Sequence, residues 1–552
     1  MSIKKTLRFL GALSAILVLM VSSVPAGSTD VYGGQAQTGS TDFELLAPDI
    51  ASELDYNAPE LSAQEQSALQ EKVWALREQY DAQVDNYSDA LIEGLADAYV
   101  PPTSVEASSK STSDVYLPVN DAFKKLNRKL DRASSALGNN LAEPSAINEG
   151  KYVFAAGNTH AEYSTNRAKT WTNVPIPSGP TAAPYKCCDI DVVYDRSRGL
   201  TIWSVLYTNY YGTNGVVRIF IRRNVDTNNA CSYTINPSGS NNNTLPDYPH
   251  LGLSNNYLYL TTNNIGGSAG SKAQVRRFGL REMANCVGTP TNTFNYNWDY
   301  GQRVFVPVEG ATDTMYWGAM YDSSTFRVYW WPESGGTIFW TDRTVSTSTF
   351  ANPDCRGGTY NRDFIERSTA WSIAGFRMRG AVGRQGLLFL WNAANDNSYS
   401  QALVRAALFQ ENGLTLIGQP HIWNSVACFG YPAVSVNDRG DFGLTIAMGG
   451  KAGGGGTAAQ GYVAIDDEFT PGAGYFQTVY KTASGTINRS DGRFGDYFTI
   501  RRQTPCGLYF TATNYALDGG TGVSSVNARY VEFGRGRDLK CWKGWSGRTR
   551  AK

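Results

Sequence analysis

Three histidines in 552 residues, and no excess of either charge, already narrow what this chain can do. The 49 basic and 49 acidic side chains cancel, so the basic surface that phosphate backbones require is missing and nucleic acid is not the expected partner. No His-Glu-x-x-His and no paired Cys-x-x-Cys occur, which sets aside the usual zinc centres. The glycine run 453–456 lacks the Lys-Ser/Thr that would make it a phosphate loop. No apolar run reaches the roughly 20 residues of a membrane-spanning helix. What is abundant is glycine (56), tyrosine (32) and tryptophan (13), a composition that favours turn-rich β structure.

The chain divides by texture. Lys4, Lys5 and Arg8 precede an apolar run from Phe9 to Val21 and then Val24-Pro25-Ala26, the pattern of a secretory signal peptide over residues 1–26. Its removal would take three basic groups and leave 46 against 49. Residues 27–41 read as a flexible leader. Residues 42–100 hold fourteen acidic side chains against Lys72 and Arg77. There Ser62-x-x-Glu65 forms a capping box ahead of Leu69, Val73, Leu76, Tyr80, Val84, Tyr87, Leu91 and Leu95, spaced as one face of an amphipathic helix or helix pair. That segment reads either as a pro-region or lid, or as a packing appendage. Pro101-Pro102 ends it, 101–114 is a linker, and 536–552 is a basic tail.

Between residues 115 and 535 short alternating strands are separated by Gly, Asn and Asp turns. One phrase recurs: a polar or acidic residue opens a buried strand, a turn follows, then an aromatic-rich strand. It begins at Glu143, Asp189, Asp247, Tyr316, Arg377, Tyr431 and Gly495. Units of about 56 residues suit propeller blades with room for loops. The fold expected is all-β, a seven-bladed β-propeller (six blades being the alternative), preceded by a short α-helical N-terminal region.

Export makes the eight cysteines, Cys187, Cys188, Cys231, Cys286, Cys355, Cys428, Cys506 and Cys541, candidates for disulfides. For the adjacent Cys187 and Cys188 two separate bridges are favoured over a bond between them, because a vicinal ring needs unusual backbone geometry.

The stretch YSTNRAKTW, with Ser164 to Trp171, resembles the Asp-box (BNR-repeat) pattern SxDxGxTW, with Asn166 and Ala168 at the Asp and Gly positions. Together with CCDIDVVYD, DYPHLGLS, YPAVSVNDRGDFG and RFGDYFTIRR, it gives residues 140–535 a resemblance to the sialidase-like propellers of secreted bacterial proteins. The resemblance implies the fold, with the box folding an outer turn away from the active site. The Phe/Tyr-Arg-Ile-Pro motif that carries the first sialidase arginine is absent, which counts against sialidase activity itself.

In a propeller the innermost strands line the axis, so their first residues converge. That places Glu143, Asp189, Asp191, Asp247, His250, Tyr431, Arg493, Asp496 and Tyr497 near one mouth. Asp247 and Asp496, with Asp191 next, are the expected catalytic carboxylates for glycosidic hydrolysis, one as acid and one as base or nucleophile. Arg493, His250, Tyr248, Tyr431 and Tyr497 are the expected substrate contacts, Arg493 for a sugar carboxylate or sulfate. A lyase would instead use Tyr248 or His250 as base. Tyr207, Tyr210, Tyr211, Trp330 and Trp331 are candidates for stacking on sugar rings. No cofactor is expected, although converging carboxylates are also the ligands calcium prefers. The alternative to an enzyme is a non-catalytic propeller that binds an extracellular glycan or protein.

Overall fold

The computed structural model describes most of residues 42–76, then 124–130, and most of 143–541. Residues 1–41, 77–123, 131–142 and 542–552 lie outside the described residues, as do the proposed signal peptide, the linker and helical positions beyond Leu76. The described part is a seven-bladed β-propeller.

Blade 1 runs Ser145–Glu149, Tyr152–Gly157, His160–Ser164 and Thr172–Asn173. Blades 2 and 3 are built on Leu200–Thr208 and Thr244–Leu253, and each gains a strand at its outer edge. Asp49–Ile50 joins the edge of blade 2, and Asp42–Leu46 that of blade 3. The start of the acidic segment is therefore strand, and among the described residues its α-helix spans residues 64–76. Blades 5 and 6 start at Arg379–Gly383 and Cys428–Val436. Blade 4 has three regular strands, Thr314–Met320, Thr325–Pro332 and Phe339–Thr344. The hairpin predicted at Tyr316 is thus the second and third positions of its blade. Residues 305–309 take the axial place, tied by the Val308 N–H to the Tyr316 carbonyl at 3.0 Å.

Blade 7 closes the ring from both ends of the chain. Its order is Lys124–Lys129, Arg529–Gly534, Phe510–Asn514 and Thr499–Arg502, so an N-terminal strand covers an edge that would otherwise offer unpaired amides. Apolar clusters fill the spaces between neighbouring blades. Trp317 stacks on Tyr329 with centroids 5.5 Å apart, and Phe294 and Phe305 pack against both. Tyr207 and Trp331 also belong to the core, whereas Tyr210 and Tyr211 are exposed.

The outer turn of blade 1 shows why its residues are of these types. Asn166 Oδ1 accepts the amides of Lys169 (3.1 Å) and Thr170 (2.9 Å), and Ser164 Oγ accepts that of Ala168 at 2.9 Å. Ala168 sits at φ 58°, where glycine has no steric cost. Asn166→Ala, read by denaturant midpoint, is expected to cost about 1 kcal/mol, and Asn166→Asp, which keeps the acceptor, less than about 0.5 kcal/mol.

A second polar cluster joins blades 5, 6 and 7. Asp441 and Asp466 are both fully buried, with Arg384 2.9 Å from Asp441 and Arg535 within 4 Å of each carboxylate. Burial, reinforced by the charge of Asp441, pushes Asp466 up to about 7. The folded protein then holds a proton there between pH 4 and 7 that the unfolded chain releases, so this group's contribution to stability falls as pH rises through that window. Asp466→Asn removes the titration. Melting curves at pH 5 and pH 8 are expected to show the variant gaining on the wild type at the higher pH, by on the order of 2–4 kcal/mol.

Candidate active site at the propeller axis

Five residues in or just ahead of innermost strands lie in the left-handed region: Glu143 (φ 34°), Asp189 (43°), Tyr248 (56°), Arg377 (48°) and Tyr431 (52°). This conformation is rare for such residues and costs about 1 kcal/mol or more, so its recurrence marks a built feature rather than an accident of one loop. At Tyr248 and Tyr431, each followed by proline, the strand register shifts, between Asp247 and His250 and between Gly430 and Ala433. Such bulges re-aim side chains at the end of a strand.

Residues close in sequence are nonetheless divided: Asp189 and Asp247 line one cavity, Asp191 and His250 another. This corrects the expectation of a single mouth.

The first cavity is lined by Glu143, Asn158, Cys188, Asp189, Asp247, Arg489, Arg493 and Asp496 from the propeller. Ser67, Gln70, Glu71, Val73 and Trp74 of the helix at residues 64–76 complete it. Asp247 and Asp496 thus share a cavity, and Asp496 bonds Arg377 Nη2 at 2.7 Å. Glu143 Oε1 accepts the Asp496 amide at 2.5 Å, and Asp189 Oδ2 that of Tyr248 at 3.1 Å.

The second cavity holds Asp191, His250, Glu309, Arg379 and Arg501. Asp191 is bonded by Arg501 at 2.5 Å and by Ser145 at 2.8 Å. Burial opposes its charge, but Arg501 and His250 outweigh that and hold the carboxyl well below its ordinary range. His250 lies 3.5 Å from Asp191 through Nδ1 and 3.2 Å from Arg379 through Nε2. Burial, then the charge of Arg379, pushes it down to about 3, so it is neutral at pH 7. These partners assign its proton to Nδ1 and leave Nε2 accepting from Arg379. Burial pushes Glu309 up.

Tyr248 and Tyr497 line neither cavity and pack against each other and His250. Arg379 donates to Tyr248 Oη at 2.9 Å, and Arg377 lies 4.7 Å over the same ring. Burial raises Tyr248, and Tyr497 well above the usual phenol range, so both stay protonated. Neither Tyr248 nor His250 lines the first cavity. Tyr431 lies in neither: its hydroxyl donates to the Phe364 carbonyl at 2.7 Å within an aromatic cluster. Arg493, buried in the wall of the first cavity, pairs with Glu71 of the helix.

Cys187 and Cys188 are bonded to each other, against the expectation of separate bridges. The six other cysteines pair among themselves as Cys231–Cys286, Cys355–Cys428 and Cys506–Cys541. The vicinal pair sits in the cavity wall immediately before left-handed Asp189. Among the described residues no group of three or more His, Cys, Asp or Glu side chains is placed to hold a metal ion. Arg377, Arg379, Arg501 and Glu309 were not singled out as site residues. Arg-x-Arg at 377–379 carries the same two-residue spacing as Asp189-x-Asp191, which is the signal that finds it.

No family model matches the sequence and no curated protein matches it. Solved structures similar to it match at low identity and low TM-score. The NanB sialidase from Streptococcus pneumoniae is 10% identical with a TM-score of 0.35, over 56% of this chain and 65% of NanB. A Trypanosoma rangeli sialidase variant displaying trans-sialidase activity is 11% identical with a TM-score of 0.33, over 56% and 52%. A prolyl endopeptidase is 9% identical with a TM-score of 0.35, over 71% and 50%. The chain thus spans about two thirds or less of these proteins.

Proposed function

We propose that this is a secreted carbohydrate-active propeller that hydrolyses glycosidic bonds of an anionic or decorated polysaccharide in the helix-side cavity, Asp247 acting as acid and Asp496 as base. The observation that carries the reading is that carboxylates from four blades, Glu143, Asp189, Asp247 and Asp496, line one cavity together with Arg493. Two carboxylates across one cavity are the minimum for hydrolysis of a glycosidic bond. Salt-bridged to Arg377, Asp496 is the one suited to remain charged and to receive the proton of an attacking water. Arg493 supplies a cation for an acidic or sulfated substituent. Four disulfides and the signal-like first 26 residues support export. Among the described residues no helix is long and apolar enough to cross a membrane.

A non-catalytic glycan-binding propeller is the second reading. It is favoured by Glu143 and Asp189, which spend carboxylate oxygens on backbone amides as structural residues do. Incubation with neutral, sialylated, uronic and sulfated glycans, followed by mass spectrometry, separates the readings. Fragments carrying an added water support hydrolysis, unsaturated fragments mean a lyase, and binding without fragments supports the second reading.

A further inference from the structure

Helix 64–76 walls one side of a polar cavity, presenting Ser67, Gln70 and Glu71 to it beside Val73 and Trp74, which is not how a helix docks for packing alone. Its capping box is formed: the Glu65 amide donates to Ser62 Oγ at 3.3 Å, and the Ser62 amide to Glu65 Oε2 at 2.8 Å. Gln66, Leu69 and Val73 are buried, and Gln66 Nε2 donates to the Lys186 carbonyl at 3.1 Å. Val73 packs in the same apolar cluster as Cys187 and Cys188. Lys72 lies 3.8 Å over Tyr210 and donates to its carbonyl at 3.2 Å. Yet Ser67, Gln70 and Glu71 also line the cavity. Glu71 Oε1 meets Arg493 Nη1 at 2.5 Å, and the Arg493 guanidinium lies 4.6 Å over Trp74. All seven blades and the closing strand are complete without this helix.

We infer that the helix is an internal occupant of the ligand site, and that Arg493, where Glu71 sits, is the subsite for a ligand carboxylate, so that the ligand is a uronate-bearing glycan. The inference rests on the reading of the cavity as a sugar site and adds the class of sugar and the means by which the site is kept shut. The group that the helix itself sets against Arg493 is a carboxylate, the form that a displacing ligand group would copy. Glu143, Asp189, Asp247 and Asp496 share the cavity with Arg489 and Arg493, and a neutral ligand displacing Glu71 would take a carboxylate away from Arg493, whose side chain is 9% exposed. A ligand carboxylate exchanges one anion for another at no net change. Cys188, which lines the cavity and shares an apolar cluster with Val73, then offers apolar surface of the kind that a sugar ring's CH face takes. An occupant on the same chain competes at a fixed effective concentration, so ligand affinity is reduced by the fraction of molecules in which the helix is docked.

The test uses the full chain, with tetragalacturonate as probe and cellotetraose as neutral control, by titration calorimetry. Glu71→Gln/Trp74→Ala loosens the helix where it meets Arg493. Glu71→Gln alone acts on a half-exposed pair and gives a smaller change in the same direction. The double variant is expected to bind tetragalacturonate at least about tenfold more tightly than the wild type. Its affinity for cellotetraose should not change, and adding Arg493→Gln should abolish the gain. In the wild type, saturating tetragalacturonate should speed amide hydrogen exchange across residues 64–76. Unchanged affinity, or a gain that survives Arg493→Gln, overturns the inference. A gain confined to cellotetraose overturns the carboxylate subsite and leaves the cavity a sugar site, and binding of neither glycan overturns both. Tight, Arg493-dependent binding without cleavage removes the hydrolase reading and leaves this inference standing.

Discussion

Asn in place of Asp247 is expected to reduce glycan cleavage by about 10²- to 10⁴-fold, the range that a positioned acid or base contributes. The fold should be untouched. Asp247 lies in the axial strand of blade 3 beside the register shift and lines the helix-side cavity, and Asn preserves its shape while removing the proton it would donate. Asp496→Asn should lose as much turnover for a different reason and with a second consequence. The Arg377 guanidinium, buried and stacked on Tyr248, then lacks its carboxylate. Breaking a buried pair from one side typically costs about 3–5 kcal/mol, so this variant should also melt earlier. The two together separate chemistry from folding: inactive with unchanged melting for Asp247→Asn, inactive with lowered melting for Asp496→Asn. Full turnover in Asp247→Asn would remove the acid assignment. A wild type that binds glycan without product, and an Asp247→Asn variant that binds equally well, would make the cavity a recognition site.

The number of blades was legible because each blade needs one fully buried strand and one aromatic-rich strand, and a two-residue alternation leaves a trace that recurs. Blade 4 shows where such a trace fades. Its axial segment, residues 305–309, contains Pro307, which cannot donate to a ladder, so the phrase starts one strand late at Tyr316. The closing strand, Lys-Lys-Leu-Asn-Arg-Lys at 124–129, has a single apolar side chain and no alternation to find. It is held by pairing with Arg529–Gly534, a contact across about 400 residues that no local pattern encodes. Strand-start carboxylates were legible as a set, because convergence follows from the fold. Their sorting was not, since Asp189 and Asp191 lie two residues apart ahead of one strand and yet line different cavities. Tyr431 shares its conformation with Tyr248 but meets Phe364 and Phe494, and neither partner can be inferred from its own neighbours in sequence. The Cys187–Cys188 bond became readable only once the other six cysteines were seen to pair among themselves.

Arg501→Met should be among the most damaging single changes for stability, at about 3–5 kcal/mol at pH 7. Arg501 Nη2 bonds Asp191 at 2.5 Å, and Nη1 lies 3.1 Å from Glu309. It also donates to the carbonyls of Val192 at 3.0 Å and Ile500 at 3.1 Å, joining the axial ends of blades 2 and 7 and the axial segment of blade 4. Methionine keeps the stem and removes every one of these bonds. Asp191, 1% exposed, then faces only His250 as a potential cation, and that imidazole is neutral at pH 7. The pH dependence distinguishes lost charge from lost packing. In the wild type the carboxyl's pKa is lowered on folding, so its contribution is present above the unfolded value and is lost only as pH falls towards the depressed folded one. In the variant burial acts unopposed by Arg501, the carboxyl takes up a proton at mildly acidic pH, and the deficit should shrink between pH 7 and pH 4.5. Arg501→Met/Asp191→Asn should recover part of the loss at pH 7, because the buried charge goes with its partner. A single-variant cost that is the same at both pH values, with no recovery in the double variant, would mean that Arg501 stabilises the axis through its stem and carbonyl bonds rather than through Asp191.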